Sequence, residues 1–198
     1  AKDIQRTDAP RSITYLGNIR CDRYHSIAEM GKALEEINEI YGTDYHINVY
    51  TNEKDKQILQ TLEEVKTVRL CGFVSGKEFD EVLHNADFLL HTESFKEDSI
   101  ELVRNSVSTK IADSLGSGVP LIAYGPDCIA SMRHLIRNDC AITITEKDAL
   151  KETLFRAFSD KAFREQKARR GLAVATRYHE PQACGELVRN VIERIIAQ

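Results

Sequence analysis

Ser108, Thr109 and Lys110 stand together at a predicted helix start, placing two hydroxyls beside one ammonium. A helix start also frees backbone N–H groups, and the combination suits an anion such as a phosphate. The plainer alternative is that Ser108 only caps the helix and Lys110 is solvated. Three residues on, Asp113 offers two acceptor oxygens that suit paired hydroxyls, or is simply an exposed helical acid. Arg20 and Arg23 follow the first predicted strand; one supplies a second cation to the anion and the other is a surface charge. His91 stands two residues before Glu93 at a strand end and is the histidine chosen for testing. The other five (His25, His46, His84, His134 and His179) are read as surface or packing residues; none shows ligand spacing, and no metal is assigned.

These groups need a scaffold. Short apolar runs rich in strand-forming residues recur at 12–16, 46–50, 67–71, 88–91, 120–123 and 141–145. Helical patterns lie between them, at 27–40, 53–62, 77–85, 108–115, 129–136 and 147–158. In the first, Ile27, Met30, Ala33, Leu34, Ile37 and Ile40 recur at helical spacing after an exposed start at His25 and Ser26. Six strand–helix repeats imply a doubly wound, Rossmann-like α/β domain: about six parallel strands with helices on both faces. The stretch 161–198 reads as a helical tail, broken before Pro181, in which Cys184, Leu187, Val188, Val191, Ile192 and Ile195 form a narrow apolar stripe.

In such a sheet, ligands sit outside the carboxyl ends of the strands, near the point where strand order reverses. That rule nominates Gly17, Asn18 and Arg20 after the first strand, Thr51 after the second, and Gly72, Phe73 and Val74 after the third. Glu93 and Ser94 follow the fourth, and Gly125 follows the fifth. Asn18 and Thr51 rest on loop position alone, and Phe73 either meets a base or joins the core.

Several classes are excluded or disfavoured. Gly17 lies in no GxGxxG run and no GxxxxGK[ST] occurs, so neither phosphate-binding fingerprint is present. A net charge of −4, from 27 Lys and Arg against 31 Asp and Glu, argues against a nucleic-acid partner. Five cysteines without CxxC spacing predict neither a disulfide framework nor a zinc site, and point to a reducing cytoplasm. No stretch has the length and apolarity of a membrane span.

The order of the motifs carries a resemblance. Gly118-Val119-Pro120-Leu121-Ile122-Ala123, with Asp113 five positions before Gly118, is similar to the E-A-x-x-x-G-x-P-V-I signature of family 4-like GT-B glycosyltransferases. Asp113 stands at the second Glu of that group's E-x7-E motif, and Lys110 matches the Lys of its S-x-x-K-x-x-E-Y variant. Gly72 and Val74, followed by Leu83, Ala86 and Asp87, resemble the group's G-x-V…L…A-D run, and Thr14 to Asn18 with Arg23 resembles its opening strand. The chain departs at Glu93, which has nineteen residues between it and Asp113, and at Ser94, Phe95 and Lys96, which replace a Gly-Phe-Gly turn. The acidic insertion at 97–101 is expected to be mobile.

This resemblance implies the donor-binding C-terminal half of a glycosyltransferase, a single domain over 1–198, whose N-terminal acceptor domain lies outside these residues. It implies a nucleotide-sugar substrate of UDP or GDP type, no cofactor, and transfer of a hexosyl unit to a saccharide or lipid-linked acceptor. Catalytic roles fall to Lys110 and Glu93. Donor binding falls to Gly17, Asn18, Arg20, Arg23, Thr51, Gly72, Phe73, Val74, Ser94, Ser108, Thr109 and Asp113. It further implies that the chain alone is inactive, and that the whole protein is cytoplasmic and able to associate peripherally with a membrane. The alternatives are a sugar-nucleotide epimerase of the same fold and a non-catalytic binding module.

Overall fold

A computed structural model describes residues 10–196. Six parallel strands form one sheet: β1 (Ser12–Leu16), β2 (His46–Tyr50), β3 (Val68–Gly72), β4 (Phe88–Thr92), β5 (Leu121–Tyr124) and β6 (Ile142–Ile144). Their spatial order is β3-β2-β1-β4-β5-β6. From β1 the chain winds outward through β2 to β3, then returns to the centre and winds the other way. The reversal falls between β1 and β4, whose pairing joins Ile13, Thr14 and Tyr15 to Phe88, Leu89 and Leu90. Loops leaving these two strands diverge and open a crevice at their carboxyl ends.

Strand patterning follows position in the sheet. β4 and β5 are buried at every residue, as central parallel strands must be, whereas β3 at one edge is mostly exposed. Alternate residues feed two apolar layers. On one face, Ile13, Phe88, Leu90 and Ile122 meet Ile27, Met30 and Leu34 of α1 (Arg23–Tyr41) and Leu154 and Phe158 of α7 (Leu150–Ser159). On the other, Leu89, Leu121 and Ala123 meet Leu83 of α3 (Gly76–Asn85), Ile111 and Leu115 of α5 (Lys110–Gly116), and Met132 and Leu135 of α6 (Ala130–Arg137). α2 (Lys56–Glu63) begins at Asp55, whose carboxylate accepts from the backbone N–H of Gln57 and Ile58.

Three differences from the sequence reading have physical causes. The first helix begins at Arg23, not after an exposed Ser26. Cys21 and Asp22 take left-handed conformations at φ 55° and 57°, which turn the chain into the helix early, and Ser26 is buried. The acidic insertion, expected to be mobile, forms α4 (Glu97–Val103). Ser99 Oγ donates to Asp22 Oδ2 at 2.7 Å and Lys96 Nζ to Asp22 Oδ1 at 2.8 Å, so this segment is tied to the left-handed turn. The tail divides in two. α8 (Lys161–Tyr178) belongs to the folded body: a Cβ on its Gly171 would sit 3.1 Å from Leu115 Cδ2 of α5. Only α9 (Pro181–Ile196) leaves its Val188, Val191, Ile192 and Ile195 exposed.

Candidate functional site

The crevice between β1 and β4 holds a cavity of about 300 Å³. Thr14, Tyr15, Leu16 and Asn18 form one wall, His91, Thr92 and Glu93 the floor, and Ser106 to Ser114 the opposite wall. Arg23 enters from the start of α1. The left-handed pair at Cys21 and Asp22 aims it there, an unusual backbone held in place by the Asp22 contacts to Lys96 and Ser99.

Arg23 is fixed by Glu93. Its Nε donates to Oε2 at 2.9 Å and its Nη2 to Oε1 at 3.2 Å, a two-point pairing of planar groups. The Glu93 side chain is only 3% exposed. Burial pushes its carboxyl up, and Arg23 opposes that by stabilising the anion. Glu93 is further set by its backbone: its carbonyl accepts from Ser26 Oγ at 2.9 Å, and its N–H donates to Tyr124 at 2.9 Å.

Lys110 comes from the other wall and lies across Gly17. A Cβ on Gly17 would fall 2.5 Å from Lys110 Cε, which could move aside, but the residue takes φ +141°, so the backbone favours glycine there. Lys110 and Arg23 therefore bring two cations to one cavity from helices on opposite faces of the sheet. The helix start itself contributes less than its sequence suggests. α5 begins at Lys110 and has seven residues; Thr109 already has helical dihedrals, and neither its hydroxyl nor that of Ser108 forms a cap bond. The Ser108 N–H is engaged by Ser131 Oγ at 3.2 Å, which itself donates to the Ser106 carbonyl at 3.0 Å. The positive charge at this cavity comes from the Arg23 and Lys110 side chains rather than from a capped helix start.

Of the residues nominated from sequence, Asn18, Arg23, Glu93, Ser108, Thr109, Lys110 and Asp113 line the cavity, and Gly17 underlies Lys110. The others lie elsewhere. Arg20 turns away to Glu53, donating from Nε at 2.9 Å and from Nη2 at 3.3 Å. With the N–H groups of Asp55 and Lys54 added, Arg20 holds the Glu53 carboxyl down at about 2. Thr51 is buried, its N–H donating to the Gly72 carbonyl at 2.7 Å. Gly72 ends the edge strand β3, two strands from β1, and Phe73, which follows it, is exposed to solvent. Val74 packs in the second apolar layer. Ser94 faces a separate groove beside His25 and Phe95, and its Oγ accepts from the Lys96 N–H at 3.0 Å.

Tyr15, Thr14, Phe79 and Leu83 line the cavity without having been foreseen. Their apolar pattern marks them only as strand or helix residues. Tyr15 Oη donates to the Asn18 carbonyl at 2.5 Å, closing the turn after β1, and burial pushes its hydroxyl well above the ordinary range. His91 is buried, and burial together with the charges of Arg23 and Lys110 pushes it down to about 3. Among the described residues, no group of three or more His, Cys, Asp or Glu is placed to hold a metal ion, and no helix is long and apolar enough to cross a membrane.

The sequence matches no protein-family model and no curated protein. Solved structures do match. WaaG, a glycosyltransferase involved in lipopolysaccharide biosynthesis, aligns over 86% of this chain and 44% of its own, with TM-score 0.63 and 15% identity. Sucrose-phosphate synthase from Thermosynechococcus elongatus aligns over 96% of this chain and 46% of its own, with TM-score 0.70 and 16% identity. The C-terminal domain of the glycosyl transferase group 1 family protein LpcC from Francisella tularensis aligns over 87% of this chain and 89% of its own, with TM-score 0.62 and 16% identity. In the third alignment the two lengths agree.

The chain has the fold of a GT-B C-terminal domain.

It spans less than half the length of WaaG and of the synthase. Within this fold the cavity occupies the switch point between β1 and β4, and both of its cations sit on loops or helices that the sheet order brings together.

Proposed function

We propose that this domain binds the nucleotide-sugar donor of a glycosyltransferase in the β1–β4 cavity. The observation that carries the reading is the convergence of Arg23 and Lys110 on one cavity at the switch point. Two cations there stabilise a diphosphate, and stabilise it more as it departs and gains charge. Arg23, held rigid by Glu93, supplies direction; Lys110, on a flexible stem over Gly17, supplies a mobile point charge. Asp113 on the same wall accepts from ribose hydroxyls, and Ser108 and Thr109 offer hydroxyls to the phosphates.

Glu93 then acts by holding Arg23, since both of its oxygens are engaged there. The nucleotide is of UDP or GDP type and the group transferred is a hexosyl unit. The saccharide or lipid-linked acceptor is held by a separate N-terminal domain, and this domain alone turns over little or no donor. The likeness to about half of WaaG supports that division of labour. In the whole protein, the exposed stripe of α9 serves contact with that second domain, and any membrane association is peripheral.

Thermal unfolding of the chain against UDP, GDP, ADP and their sugar conjugates tests the reading. A ligand at a hundred times its Kd stabilises by about 2.7 kcal/mol. The expected result is a shift with one base that is lost in Lys110→Ala. No shift with any nucleotide, or an equal shift in Lys110→Ala, refutes it.

A further inference from the structure

One polar atom of the cavity has no part in the scheme above. His91 Nε2 is buried and, among the described residues, has no hydrogen-bond partner. It lies 3.6 Å from Glu93 Oε1, too far for a hydrogen bond and close enough for a charge pair. Glu93 does not turn toward it, because both carboxylate oxygens are occupied by Arg23.

The charged and titratable groups near this imidazole come from four elements. Arg23 approaches from α1, Tyr15 from β1, Glu93 from the end of β4 itself, and Lys110 and Asp113 from α5. In the ligand-free molecule Glu93 is neutralised by Arg23, and a proton on His91 would add a third positive charge beside Arg23 and Lys110. A diphosphate reverses that balance. It draws on both cations, and Arg23, whose other N–H groups reach the phosphates, then shares its charge between them and Glu93. The buried carboxylate is then left short of a counter-ion, a costly state unless a new partner appears.

We propose that His91 takes up one proton from solvent as a phosphate-bearing ligand enters, and joins Arg23 as a second counter-ion of Glu93. The imidazolium carries hydrogen on both ring nitrogens, Nε2–H turns to Glu93 Oε1, and Arg23 keeps its pairing with Glu93 while its other N–H groups meet the phosphates. Nothing but the proton is consumed. The inference rests on the donor-binding reading and deepens it, because nucleotide binding becomes coupled to protonation. In the empty cavity burial first, and then the fields of Arg23 and Lys110, hold His91 down at about 3; an anion that neutralises both cations removes the two smaller causes, and the shared Glu93 carboxylate offsets the burial that remains.

The test is calorimetric titration of the 198-residue chain with UDP, GDP and inorganic pyrophosphate between pH 5.5 and 8. Buffers of different ionisation enthalpy report the protons taken up. His91→Asn and His91→Gln run in parallel, and their difference from wild type removes the protons that belong to the ligand. Wild type should take up more protons per ligand bound. Its affinity advantage over either variant should grow as pH falls, by as much as tenfold per pH unit. Imidazole NMR of the wild-type chain, which needs no variant to fold, should show His91 titrating at higher pH when saturated with ligand than when empty. Equal proton numbers with a flat affinity ratio, or a His91 ring that stays neutral in the saturated protein down to pH 5.5, overturns the proposal alone. Failure of all three probes to bind at any pH overturns the donor-binding reading, and the proposal with it.

Discussion

Acidification should unfold this domain in part through His91, by an amount the structure sets. In the unfolded chain the imidazole titrates at about 6.5. In the folded, ligand-free protein it is held at about 3, first by burial and then by Arg23 and Lys110. A histidine with a depressed folded value contributes stability above pH 6.5 that is lost as pH falls toward 3, because the unfolded state takes the proton first. Between pH 7.5 and 5.5 the unfolded side chain passes from about one-tenth to about nine-tenths protonated while the folded one stays neutral, a loss of about 1.4 kcal/mol. For a chain of this length that corresponds to roughly 3–6 °C in Tm. Urea midpoints at the two pH values, in wild type and His91→Gln, measure it. His25, His134 and His179 are also lowered by burial and act in the same direction, but they are present in both proteins and cancel. The wild type should lose about 1.4 kcal/mol more than the variant over this interval. Equal losses would refute the claim that His91 is buried neutral between two cations.

Other substitutions separate site from scaffold. Gly17→Ala places a Cβ against Lys110 Cε on a backbone at φ +141°; it should cost roughly 1–3 kcal/mol in urea unfolding and also weaken nucleotide binding, because the lysine stem must move. Glu93→Gln leaves Arg23 without its charge partner. It should destabilise by about 3 kcal/mol, the low end for a buried pair since Arg23 is partly exposed. Gly31→Ala is the structural control. Its Cβ would lie 2.7 Å from Val65 Cγ1 and 2.8 Å from Val68 Cγ2, far from the cavity lining. A loss of about 1–3 kcal/mol with unchanged nucleotide affinity is expected.

The alternation of strand and helix was legible because β1, β2, β4 and β5 carry apolar runs bounded by turns, and the six predicted strands fall within a residue or two of those observed. The sheet order was not. Loop position nominated the ends of the first five strands alike, yet only the ends of β1 and β4 flank the reversal, so Thr51 and the residues Gly72 to Val74 fall outside the cavity. Nor does spacing choose between Arg20 and Arg23, three residues apart. The left-handed pair at Cys21 and Asp22 decides it, and that turn depends on Lys96 and Ser99, contacts spanning more than seventy residues. α4 escaped notice because Leu102 is exposed and the segment has no apolar stripe; its anchor is the Ser99 hydroxyl on Asp22. The Glu93–Arg23 pair joins residues 70 apart and left no local signal.

The central claim is that the β1–β4 cavity is where the nucleotide diphosphate binds. Amide and side-chain NMR shifts of the isotopically labelled chain, titrated with UDP and with GDP, test it most directly. The account predicts saturable shifts centred on Gly17, Asn18, Arg23, His91 and the stretch from Ser108 to Asp113, with α9 and the groove beside Ser94 unchanged. Saturable shifts that spare the β1–β4 crevice and fall elsewhere on the molecule would contradict it.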